Sequence, residues 1–183
     1  ISEKKKLLII GGSQGAKFFD EFITKIIIKL SKIEKIQVLQ QVINLNSKEN
    51  IKELYQKNHI DHELFHFDDK LLMQAVNYDL AITRSGASTI SELAYLNIPF
   101  VAIPYPYAKD NHQYYNAEFY KKNKSCWLIM QKHFDENNFT DLMIKIFQDQ
   151  NEYFSKKKNL IKLTKENTWE KNKSKLIELI NEN

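Results

Sequence analysis

What most constrains this chain is its alternation between short, continuous apolar runs and segments whose apolar residues recur at helical spacing. LLII at 7–10 stops at Gly11 and Gly12, and residues 16–30 then place Phe18, Phe19, Phe22, Ile23, Ile26, Ile27 and Leu30 three or four positions apart. A short unbroken apolar run suits a strand buried on both faces, whereas a period near 3.6 suits an amphipathic helix. The cycle repeats along the chain. IQVLQQVI at 36–43 predicts a strand, 48–57 a helix, HELFHF at 62–67 a strand, LLMQAV a helix, and DLAIT at 79–83 a buried strand. TISELAYL at 89–96 predicts a helix, PFVAIP at 99–104 a strand, 113–123 a helix, and SCWLIM at 125–130 a sixth strand. Strands that alternate with helices call for right-handed crossovers and a parallel sheet covered on both faces, so the expected fold class is α/β, doubly wound and Rossmann-like. Residues 1–150 are expected to form that domain. Residues 151–183 keep helical periodicity without a further strand, and are expected to form C-terminal helices packed on the domain or on something beyond it.

Composition narrows the classes. At 183 residues, with 43% hydrophobic and 27% charged side chains, the chain can bury a core and is neither disordered nor fibrous. Its net charge of +4 comes from scattered lysines rather than a basic block, which argues against nucleic acid as a partner. A single cysteine, Cys126, excludes an internal disulfide framework and fits a reducing cytoplasm; in an apolar run beside Trp127 it reads as a buried strand residue. No apolar stretch reaches the ~18–20 residues that span a bilayer. The five histidines show neither HxxxH nor HExxH spacing, so no metal site is expected. A start at Ile that runs almost directly into the first strand gives the expectation of a piece of a longer polypeptide.

In open α/β sheets ligands bind beyond the carboxyl ends of the strands, where turns lead into helix N-termini. Two turns qualify. GGSQGA at 11–16 follows the first strand; its glycines either let the backbone approach an anion or serve tight strand-to-helix packing, and no GK[ST] follows to make it a P-loop. RSGAS at 84–88 follows DLAIT, and there Ser85, Gly86, Ser88 and Thr89 gather hydroxyl and N–H groups at a helix start, which suits a phosphate. Glu92, placed in the first turn of that helix, is either a dipole-compensating carboxylate or an acceptor for two sugar hydroxyls. A third cluster, Asp110, Asn111, His112, Gln113 and Asn116, opens the next helix; it reads as an Asp cap with solvated amides, or as a set whose amides match the mixed donors and acceptors of a sugar.

GGSQGA at 11–16, RSGASTISELAYLNIPFVAIPYP at 84–106 and DNHQYYNAEFY at 110–120 together resemble the C-terminal, nucleotide-sugar-binding domain of the MurG family. These are glycosyltransferases of the GT-B fold, which transfer N-acetylglucosamine from UDP-GlcNAc to lipid I to make lipid II in peptidoglycan synthesis. The resemblance implies a donor-binding half of a two-domain enzyme. Ser13 and Gln14 would lie near the diphosphate. Ala87, Ser88 and Thr89 would bond phosphate and sugar, Glu92 the ribose hydroxyls, and Gln113 with Asn116 the GlcNAc. Phe67 falls where the family holds uracil through the main chain, and His112 sits at a position that is often Gln or His. Arg84 stands between a phosphate-side charge and a structural anchor. The implied chemistry is inverting, with no cofactor and no strict need of a metal, because helix N–H groups stabilise the leaving diphosphate. No catalytic residue is expected in this chain: the base and the acceptor loops belong to the family's N-terminal domain, for which there is no room before Leu7. The implied setting is the cytoplasmic face of the bacterial inner membrane, contacted peripherally. Two other classes stay open, a donor-binding subunit of a split two-subunit UDP-GlcNAc transferase and a non-catalytic nucleotide-sugar-binding module. An NAD dehydrogenase is disfavoured, because the first turn lacks GxGxxG and no acidic residue ends the second strand.

Overall fold

The computed structural model describes residues 3–12, 16–66 and 71–166. Six parallel strands, β1 (Lys5–Ile10), β2 (Ile36–Gln41), β3 (Asp61–Phe65), β4 (Leu80–Thr83), β5 (Phe100–Ala102) and β6 (Trp127–Leu128), form one sheet in the order β3-β2-β1-β4-β5-β6. The order reverses beside β1, whose register runs Leu7↔Val38 on one side and Leu7↔Leu80 on the other. That reversal opens a crevice at the carboxyl edge between the exits of β1 and β4. Several strands are shorter than their apolar runs: β2 stops at Gln41, β5 at Ala102, and β6 spans two residues.

Strand side chains alternate between two cores. Leu7 and Ile9 of β1, Leu80 and Ile82 of β4 and Val101 of β5 enter one, while Leu8, Ile10, Ala81, Phe100 and Ala102 enter the other. The first core is covered by the helical body α1 (Ala16–Phe18), a π-helical turn (Phe19–Ile23) and α2 (Thr24–Leu30), together with α3 (Leu45–Lys57) and α7 (Glu136–Gln148). The short α4 (Leu71–Ala75), α5 (Ala87–Tyr95), α6 (His112–Lys122) and α8 (Gln150–Glu166) cover the second. A fully buried Leu or Ile contributes about 1.5–3 kcal/mol, so both layers are needed to offset chain entropy.

Helix ends follow local chemistry. The side chains of Asn44 and Asp135 accept from the N–H groups of Ser47 and Asn138, capping α3 and α7. At the other end, α3, α5 and α6 share one device: His59, Asn97 and Lys124 take φ of 54°, 58° and 53°, and the next residues, Ile60, Ile98 and Ser125, donate back to Tyr55, Leu93 and Tyr120. This is the Schellman stop, which aims the chain straight into β3, β5 and β6. Helix α8 belongs to the same body as the sheet. Tyr153 donates through its hydroxyl to the Asp79 carbonyl, Trp127 Nε1 donates to Glu152, and Leu160 is wholly buried. The expected helices of residues 167–183 lie outside the described residues. Cys126 is buried as expected but lies just ahead of β6 rather than in it; burial pushes its thiol up to about 12, and Sγ faces the Ala117 carbonyl.

Candidate functional site

The exits of β1, β2, β4 and β5 enclose a cavity of about 720 Å³ at the carboxyl edge, with Gly12, Gln41, Gly86, Ser88, Thr89 and Gln113 among its walls. Gly12 turns the chain out of β1 at φ +73°, a left-handed conformation that costs any other residue. Its N–H donates to Gln41 Oε1 at 3.0 Å, while Gln41 Nε2 donates to the His66 carbonyl at 3.3 Å. One side chain at the end of β2 thus joins the glycine turn to the exit of β3.

At the exit of β4, α5 starts at Ala87, two residues earlier than the sequence suggested. Its first turn closes with the Ile90 N–H donating to the Gly86 carbonyl at 3.1 Å. The N–H groups of Ala87, Ser88 and Thr89 therefore precede the ladder, and the positive end of the helix meets the cavity. Gly86 has an ordinary φ of −60°, and a Cβ there would meet nothing nearer than Thr89 Oγ1 at 4.0 Å, so neither the backbone conformation nor packing among the described residues demands glycine. The earlier start moves Glu92 out of the first turn, which contains no acidic residue, and removes its role as a dipole-compensating carboxylate. Glu92 is exposed, its carboxylate bonds no described residue, and it shares a helix face with Ser88, four positions before it.

Arg84 resolves as an anchor. The residue is 4% exposed, and its guanidinium donates to the carbonyls of Ile103 and Pro104 at 3.0 and 3.2 Å and lies 5.0–5.4 Å from the ring centroids of Phe18, Phe19 and Tyr105. Burial lowers its pKa to about 10, which leaves it a cation at neutral pH. Nε has no partner among the described residues. The charge is stabilised by aromatic faces and carbonyls rather than by a carboxylate.

The third cluster opens α6 in an unexpected way. Asp110 and Asn111 both take left-handed backbone, with φ of 51° and 53°, and Asn111 caps the helix without a side-chain bond, so the Asp cap does not form. Consecutive non-glycine residues in that region store strain, and such strain gathers at functional sites. His112 lines the cavity, and its Nδ1 lies 2.7 Å from the Lys109 carbonyl. That ring nitrogen must carry the proton, which leaves Nε2 as the one open to a ligand. Gln113 Oε1 accepts from the N–H groups of Tyr105 and Ser85 at 3.0 and 3.3 Å, and its Nε2 takes no part in either bond. Asn116 Nδ2 donates to the Ser85 carbonyl at 3.1 Å, and Asn116 is absent from the cavity wall.

Of the residues singled out from sequence, Ser88, Thr89, His112 and Gln113 share the cavity wall, Ala87 and Glu92 lie on the same helix as Ser88, and Asn116 stands behind. Ser13, Gln14 and Phe67 lie outside the described residues. Gln41 and Lys109 were missed, though both line the cavity. A signal existed for Gln41: two amides inside an otherwise apolar strand require partners. Gln40 meets that need inward, accepting from Tyr55 Oη at 2.5 Å and donating to Thr24 Oγ1 at 3.1 Å, and Gln41 meets it at the site. Together these groups offer N–H donors and a lysine for an anion, and a free carboxylate and amide donor for hydroxyl groups.

Comparison with known proteins places this geometry. The profile described as glycosyltransferase family 28 C-terminal domain matches residues 6–175. The UDP-N-acetylglucosamine–N-acetylmuramyl-(pentapeptide) pyrophosphoryl-undecaprenol N-acetylglucosamine transferase of Pelagibacter ubique is 46% identical over 97% of this chain and 49% of its own length. The protein of the same description from Rickettsia canadensis is 38% identical over 87% of this chain and 46% of its own length. The chain thus spans about half the length of the curated relatives it matches. The crystal structure of Acinetobacter baumannii MurG superimposes with a TM-score of 0.74 at 22% identity, over 87% of this chain and 46% of that one. The solution structure of ALG13 superimposes with a TM-score of 0.55 at 15% identity, over 81% of this chain and 88% of that one. At these identities the structural likenesses establish the fold.

Proposed function

The chain belongs to the glycosyltransferase family 28 C-terminal domains, and from that premise we propose that it is the donor-binding half of an inverting N-acetylglucosaminyltransferase that uses UDP-GlcNAc to convert lipid I to lipid II. The observation that carries this reading is the 46% identity to the named Pelagibacter transferase along 97% of the chain. The cavity is suited to the role. The N–H groups of Ala87, Ser88 and Thr89, with Lys109 nearby, take the diphosphate; Glu92 accepts from the ribose hydroxyls; Gln113 Nε2 and His112 Nε2 meet the sugar. Ser13 and Gln14 are assigned to the diphosphate and Phe67 to the base on the family's pattern.

In the reaction the C4 hydroxyl of the acceptor displaces UDP from the anomeric carbon of GlcNAc. Negative charge then grows on the diphosphate, where the α5 N-terminus lowers the barrier without needing a metal. The base that takes the acceptor proton and the loops that hold lipid I belong to the other half of the enzyme, as does contact with the cytoplasmic face of the inner membrane. No described helix is long and apolar enough to cross a membrane. A second reading, a donor-binding subunit that works with a separate partner, is favoured by the ALG13 likeness, where a fold of this extent makes up 88% of a chain.

Calorimetric titration with UDP-GlcNAc, UDP-glucose and ADP-ribose tests the donor assignment. Binding of the uridine sugars with UDP-GlcNAc preferred is the expected result; equal binding of ADP-ribose, or none of the three by a folded chain, would refute it.

A further inference from the structure

We infer that Gln41 is a positioning residue for the base end of the site: its side-chain amide holds the glycine turn and the exit of β3 at a fixed spacing, and that spacing sets the preference for uracil over a purine. This rests on the donor-site reading above, in which the residues just after Gly12 and His66 serve the diphosphate and the base. Gln41 is the last residue of β2, the strand that lies between β1 and β3. The ladder to β1 ends at Ile9↔Gln40, and the ladder to β3 ends at Gln41↔Phe65. Beyond those rungs the Gly12 N–H donates to Gln41 Oε1 at 3.0 Å, and Gln41 Nε2 donates to the His66 carbonyl at 3.3 Å.

A carboxamide carries the same acceptor and donor as a peptide group, so this side chain adds one rung on each side of a strand whose own pairing has ended. Other side chains do not supply both: Glu cannot donate, Asn is one methylene shorter, and Leu does neither. Gly12 depends on such a tie because its φ of +73° turns the backbone off the strand path. Gly12, Gln41 and Phe65 all line the cavity, so a shift of either turn changes the space between them. Neither bond reaches α5 or α6, and the sugar end of the cavity is therefore held independently of Gln41.

Two affinity ratios read the inference. Wild type, Gln41→Ala and Gln41→Glu are titrated with UDP, ADP, UDP-GlcNAc and UDP-glucose. Gln41→Ala should weaken UDP about five- to tenfold and lower its preference over ADP by a similar factor, while the preference for UDP-GlcNAc over UDP-glucose stays as in wild type. A loss of stability alone moves neither ratio. An unchanged ratio of UDP to ADP, or a change in the sugar ratio in its place, would overturn the inference. Spectra without ligand separate positioning from direct contact. The Gly12 N–H should exchange faster in Gln41→Ala and keep its protection in Gln41→Glu, which retains the acceptor; the His66 carbonyl carbon should shift in both. If neither signal moves, the amide acts on the nucleotide directly and the inference falls. Should Gln41→Ala fail to fold, Gln41→Glu carries the base ratio, because its added charge acts alike on both diphosphates. A wild-type chain that binds no uridine ligand would refute the donor-site reading and the base preference with it, whereas a wild type that prefers UDP and variants that match it would refute this inference alone.

Discussion

Glu92 is where a single carboxylate can be separated from the fold. It is exposed and its carboxylate bonds no described residue, so Glu92→Ala should leave stability nearly unchanged, within about 0.5 kcal/mol. The same change should weaken UDP-GlcNAc at least about tenfold, the cost of losing a charged acceptor for ribose hydroxyls, and calorimetry beside thermal unfolding reads both. Arg84 behaves in the opposite way. Enclosed by Phe18, Phe19 and Tyr105, with one guanidinium nitrogen donating to two carbonyls, it uses a flat, weakly hydrated cation whose stacking on the rings a lysine ammonium does not reproduce, so Arg84→Lys should cost about 2–4 kcal/mol in urea unfolding. Asp20 supplies a pH test. Burial is the main cause that raises its carboxyl above the usual range, opposed by the bond from the Ile43 N–H. The native state thus holds that proton more tightly than the unfolded chain, and stability falls as pH rises through the window from the usual value to the raised one. Asp20→Asn removes the ionisation, so its gain in Tm over wild type should be larger at pH 7 than at pH 4.

At the scale of elements, what could be read from sequence depended on whether the cue was local. The alternation of apolar runs with helical periods needs only neighbouring residues, and it placed all six strands and their helices in order. Helix ends were harder. The Schellman stops after α3, α5 and α6 use His59, Asn97 and Lys124 instead of glycine, so the residue that normally marks them is missing. Lys124→Gly should therefore stabilise the chain by about 0.5–1 kcal/mol by relieving left-handed backbone. Gly12→Ala should cost a similar amount for the converse reason, since its added Cβ would find only ordinary contacts, the nearest at 3.8 Å, and the strain is in the backbone alone. The site divided in the same way. Its two turns were legible because the chain has four glycines, Gly11, Gly12, Gly15 and Gly86, all of them at those turns. The partners of Gln41, Arg84 and Asn116 lie between 19 and 31 positions away; the strand around Gln41 announces the need for a partner but not which one, and nothing local to Arg84 or Asn116 announces such bonds.

For the whole molecule, one sheet with a core on each face holds the strand exits rigid, and the switch in strand order opens the cavity between them. Helix α8 is part of that body. Cutting the chain before Gln150 removes buried Tyr153, Leu160 and Leu163 and should cost more than about 5 kcal/mol, enough to abolish a cooperative urea transition. A domain built in this way can present a preformed half of a cleft, which suits a chain that spans about half the length of its relatives. The most direct test of the central claim is to map backbone amide shifts of the isotopically labelled chain during titration with UDP-GlcNAc. The account predicts saturable shifts at Gly12, at residues 84–92 and at residues 109–113, with the opposite sheet edge around Lys32 and His59 silent. Shifts confined to that opposite edge, or none from a folded chain at millimolar ligand, would contradict it.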